Sequence, residues 1–124
     1  MGATRTVALN EMNWRGLAIN TDDASHTLVA SDSGIIFINN FATATTYTLP
    51  AVATGAGKMF MFINANTATS TVITSTTALI IGTTTAGVAK TTLTSVAVGD
   101  WGIIMGDGTN WFWFASPTVW TITA

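Results

Sequence analysis

The sequence has no cysteine and a single histidine, His26, among its 124 residues. Disulfides and thiolate chemistry are excluded, and the redox compartment is left open. With one imidazole and no thiolate, a zinc site is not plausible. Charge is scarce too: 8% of residues are charged and the net charge is −2, where about 25% charged is usual. The four basic residues, Arg5, Arg15, Lys58 and Lys90, are scattered. No patch exists to neutralise a run of phosphates, so no nucleic-acid partner is expected. No apolar run approaches the ~20 residues of a membrane-spanning helix, and no membrane partner is expected. The N-terminal "MGATRTVALNEM" lacks the apolar core of a secretory signal. Gly2 and Thr6 match the loose myristoylation pattern, but no second anchoring signal accompanies them.

Threonine and apolar residues fill the space that charge leaves. Thr supplies 25 residues and 48% of the chain is hydrophobic. Thr is β-branched and suits pleated, half-buried surface, and its hydroxyl keeps that surface wet without a charge. The composition implies one all-β domain with a polar but nearly uncharged exterior. Few charges also mean little electrostatic protection against self-association, which a chain can accept when association is its role.

Residues 1–25 hold half of the charges, and their apolar residues follow neither a two-residue nor a 3.6-residue period. This segment reads as an extended N-terminal arm that takes shape against a partner, with at most a short strand. Residues 26–124 read as the β-domain. Strand signals fall at 26–31, 34–40, 45–50, 58–65, 70–75, 78–82, 89–98, 101–106, 110–115 and 118–124, separated by Gly-, Asp-, Asn- and Thr-rich turns. Asp107-Gly108 is the best local hairpin signal, and Pro50 can end a strand because it donates no ladder hydrogen bond. The expected fold is an antiparallel β-sandwich, jelly-roll-like or a barrel.

The stretch "NWFWFA" (110–115) sharpens the picture. In a strand Trp111 and Trp113 leave on one face, Phe112 and Phe114 on the other. "GIIFI", "KMFMFI", "ALII" and "WGIIM" are likewise apolar on both faces. Such strands are normally covered twice, yet no helix-forming sequence is present to lie over a second sheet face. The second faces therefore need another copy of the chain or another protein. Phe60, Phe62, Trp111, Phe112, Trp113 and Phe114 are the expected oligomer-interface residues, aromatics being enriched in buried interface centres.

Candidates for chemistry are few. "DDASHTLVASDS" brings Asp22, Asp23, Ser25, His26, Ser31, Asp32 and Ser33 together, the ingredients of a Ser-His-Asp site. No strained nucleophile turn accompanies them, and turn capping by Asp and Ser accounts for the cluster. The D-x-D-x-D-G spacing of a calcium loop is missing. "GAGK" (55–58) has Val52 where a phosphate loop needs its first glycine, and Met59 where it needs Ser or Thr. No catalytic residue, metal or cofactor is expected, so the chain reads as a non-enzyme. Trp14, Trp101, Trp111, Trp113 and Trp120 could stack on sugars, which keeps a glycan-binding module as the alternative reading.

The elements Ser33-Gly34, Thr48-Leu49-Pro50, Gly55 and Gly57, Phe60 and Phe62, and Asp107-Gly108 with Trp111 resemble those of small tailed-bacteriophage capsid decoration (cement) proteins. The likeness spans roughly residues 26–114, and similar modules occur in phage tail fibres. The resemblance implies a homotrimer on the outer surface of the virion's capsid, made in the host bacterial cytoplasm, that clamps the major capsid protein. Decoration proteins often use an N-terminal arm for this. Here Trp14 as buried anchor, with Arg15 and Arg5 as hydrogen-bonding partners, are the expected capsid contacts.

Overall fold

The computed structural model describes residues 18–21, 25–41, 43–66, 71–76, 79–81, 91–116 and 120–123. Among them, eleven strands form two sheets. In chain order they are β1 (Ile19–Asn20), β2 (His26–Thr27), β3 (Ile36–Asn39), β4 (Thr45–Thr48), β5 (Met59–Asn64), β6 (Thr71–Thr74), β7 (Leu79–Ile81), β8 (Thr92–Thr94), β9 (Trp101–Gly106), β10 (Trp111–Ala115) and β11 (Thr121–Thr123). Sheet A runs β1-β3-β5-β9-β10-β7 and sheet B runs β11-β8-β6-β4-β2. The fold is an all-β sandwich. Each of the ten strand windows read from the sequence contains one strand. Of the arm, residues 1–17 lie outside the described residues, while Ile19–Asn20 pairs along β3 as the edge of sheet A.

The pairing departs from the antiparallel expectation. β1, β3 and β5 are mutually parallel, as are β2, β4 and β6. Parallel neighbours need a crossover, usually a helix. Here the crossover is a strand of the opposite sheet, because the chain changes sheets after every strand up to β6. The first six strands thus wind as three stacked coils. Only then do antiparallel pairs appear: β5 with β9, β9 with β10, β6 with β8 and β8 with β11. The β9–β10 hairpin turns at Asp107-Gly108 as its sequence demands. Gly108 takes φ 93°, and Asp107 Oδ1 accepts the amide hydrogens of Thr109 and Asn110 at 2.8 and 2.6 Å.

A repeated corner keeps the coils in register. Asn39 ends β3 and Asn64 ends β5, both buried, and they lie opposite each other, as do Thr45 and Thr71. Asn39 Oδ1 accepts from Thr45 Oγ1 (3.2 Å), and Asn64 Oδ1 accepts from Thr71 Oγ1 (3.3 Å). Asn64 Nδ2 also donates to the Ala97 and Asn66 carbonyls. Buried polar groups are tolerable only when bonded in this way. Asp100, buried beside them, accepts the Val96 and Ala97 amide hydrogens through Oδ2 and closes the turn before β9.

Between the sheets lies the core: Phe37, Phe60, Phe62, Ile104, Trp111 and Trp113 from sheet A meet Tyr47, Ile73 and Leu93 from sheet B. Glycine shapes its floor. A Cβ on Gly102 would overlap the Trp113 ring, and one on Gly106 or Gly55 would overlap Trp111. Trp113 meets Trp120 edge-on, with centroids 4.9 Å apart.

Candidate functional site

Every doubly apolar strand read from the sequence (β3, β5, β7, β9 and β10) belongs to sheet A, and the sandwich buries only one of its faces. In β5 the alternation turns Phe60 and Phe62 inward, which leaves Met59, Met61 and Ile63 pointing out. The strand register then assembles the outward residues into rows. One row is Ile19, Ile36, Met61, Ile103 and Phe114. A second is Ile38, Ile63 and Trp101, and a third is Met59, Met105 and Phe112. All eleven of these side chains are apolar. Phe114 keeps 54% of its surface exposed, Ile19 57% and Met59 41%. Such continuous apolar surface is rare on a solitary domain.

Sheet B carries the opposite chemistry. Its outward positions form one row of Thr27, Thr48, Thr74, Thr92 and Thr123, and another of Thr46, Val72, Thr94 and Thr121. Eight of the nine are threonine. Hydroxyls satisfy water there, and Thr74 Oγ1 donates to Thr48 Oγ1 across the strands (3.2 Å). Among the described strand residues, one sheet face is therefore wet and the other greasy, and neither bears a charge.

Six residues were expected at an oligomer interface, and four of them require correction. Phe60, Phe62, Trp111 and Trp113 are buried between the two sheets of the same chain, so they have no surface left to offer a partner. Phe112 and Phe114 do point outward. Ile19, Ile36, Ile38, Met59, Met61, Ile63, Trp101, Ile103 and Met105 complete the face, and none of them was named as an interface residue from the sequence. Strand parity alone could have grouped them, since they alternate with the large aromatics and glycines; which parity faces out depends on the other sheet. The expected capsid contacts Arg5, Trp14 and Arg15 lie outside the described residues.

The remaining candidates hold structural positions. Asp32 Oδ2 accepts the Val29 amide hydrogen, Ser33 Oγ accepts that of Met59, and Ser25 Oγ accepts that of Thr46. The His26 ring stacks on Tyr47 at 5.8 Å. Asp22 and Asp23 lie outside the described residues. Among the described residues no group of three His, Asp or Glu side chains could hold a metal ion. In "GAGK", Gly55 ends a 3₁₀ turn and gives way to the Trp111 ring, and Gly57 takes φ 70°. Trp111, Trp113 and Trp120 are buried, so their rings cannot stack on a sugar; Trp101 is the one partly exposed tryptophan among the described residues. No protein-family model and no curated protein matches the chain.

Proposed function

We propose that this chain is a structural virion protein, a capsid decoration protein that binds the assembled phage head as a homotrimer and stabilises it. The observation that carries the reading is the apolar outer face of sheet A, which equips the domain for assembly. Specific docking surfaces of this kind bury aromatic and aliphatic anchors against a partner. The resemblance of residues 26–114 to decoration proteins supplies the kind of assembly, and the arm bearing Arg5, Trp14 and Arg15 supplies the contact with the major capsid protein. Stabilisation follows from mass action: a ligand that binds only the closed shell adds RT ln(1 + [L]/Kd) against opening.

The test uses expanded phage heads that lack the protein. Saturating protein raises their disruption temperature, and the simultaneous change Trp14→Ala and Arg15→Ala abolishes the rise. An unchanged disruption temperature at saturation overturns the reading.

A further inference from the structure

The choice of partner for the apolar face can be made from its composition, its size and its edges. We infer that the outer face of sheet A is where copies of this chain meet, each copy's face packing against the same face of its neighbours about the trimer axis. The inference rests on the reading of the chain as a self-assembling structural protein, and goes further by assigning the contact to one sheet.

Composition comes first. A partner that binds and leaves, or that is selected from a mixture, is usually recognised through polar and charged groups around an apolar centre. This face has none in its three rows. A wholly apolar face is the signature of an interface formed once and kept, resembling a domain core cut in half. It must be covered as soon as the chain folds, and another copy is the partner present at synthesis. Two such faces also suit each other, because sheets stack about 10 Å apart with interdigitating side chains, as they do inside this sandwich. Met59, Met61 and Met105 supply unbranched side chains that adjust to fill the gaps.

Size is sufficient. The eleven side chains lie on five strands about 4.8 Å apart, in three rows about 6.7 Å apart, a face of roughly 20 by 20 Å. Pairing two such faces covers on the order of 1,000 Å², the lower bound of a specific interface. The edges point the same way. At one edge sheet A ends in β1, of two residues, and an edge that short offers little backbone for strand addition, which leaves the face.

Three variants of the full chain test this. Ile103→Glu places a charge at the centre of the face, and Phe114→Glu places one where the side chain is already half exposed, so that folding is spared. Thr94→Glu, on the outer face of sheet B, is the control. Light scattering at about 100 µM is expected to give an oligomer for the natural sequence and for Thr94→Glu. A monomer is expected for both face variants, with unchanged β-type circular dichroism. If Ile103→Glu fails to fold, Phe114→Glu still decides. Because the chain has no cysteine, Met61→Cys gives a second readout: alkylation at least tenfold slower than at Thr94→Cys in the native oligomer, and equally fast in denaturant. A monomeric natural chain, a Phe114→Glu oligomer of unchanged mass, or equal native alkylation rates would overturn the inference. A monomer that still raises the disruption temperature of phage heads overturns it while sparing the decoration role. An oligomer that dissociates on Phe114→Glu but never binds heads does the reverse.

Discussion

At the scale of single residues, the tightest constraints come from glycines that leave room for tryptophan. Gly102 is the second residue of β9 and has no positive φ, so its glycine is required by space rather than by backbone angle. Gly102→Ala pushes the Trp113 ring against Trp120 and is expected to cost about 1–3 kcal/mol, the usual range for overfilling a close-packed core. Urea unfolding midpoints measure this loss. Asp107 sets a different kind of limit. The amide hydrogen of Asn110, then that of Thr109, holds its carboxyl below the usual aspartate value. A depressed folded-state value adds stability above the unfolded value of about 3.9, and that contribution is lost as pH falls through the lower folded value. The part of the acid sensitivity due to this hairpin is therefore expected to vanish in Asp107→Ala, visible as a flatter decline of the urea midpoint below about pH 4.

At the scale of elements, the coil corners carry the polar part of the fold. Asn64→Ala would take the acceptor from the buried Thr71 hydroxyl and a donor from the Ala97 carbonyl, and Asn39→Ala would take the shared acceptor from the Thr45 hydroxyl and the Phe41 amide. Each unsatisfied buried group costs about 1–3 kcal/mol. Each substitution is accordingly expected to lower the urea midpoint, and a midpoint left unchanged by Asn64→Ala would refute this account of the corner. The same corners explain why parallel strands occur without helices. Asn39 opposite Asn64 and Thr45 opposite Thr71 let each coil repeat the bend of the one before it.

At the scale of the whole molecule, the proposed association would use the apolar face and leave the threonine face to water. An interface without charges is not screened by salt, so the oligomer mass is expected to be the same from about 0.05 to 1 M NaCl. Burial of apolar area weakens on cooling. Dissociation on dilution is therefore expected to be greater near 4 °C than near 25 °C, measured by sedimentation at both temperatures. An interface dominated by ion pairs would behave oppositely in salt.

The alternation of side chains and the turn residues determined much locally. Strand windows, the Asp107-Gly108 hairpin, the all-β class and the excess of apolar surface follow from period-two patterning and glycine conformations, both properties of neighbouring residues. The recurrence of Phe-Ile-Asn at 37–39 and 62–64 was also present in the chain, and it marks the stacked coils. Only the tertiary structure decided which strands share a sheet, that the early pairs run parallel, and which parity of each strand faces inward. Those depend on contacts between residues far apart, and a strand apolar on both faces carries no local sign of its inner side. That is why Trp111 and Trp113 are buried within the chain while Phe112 and Phe114 beside them point outward.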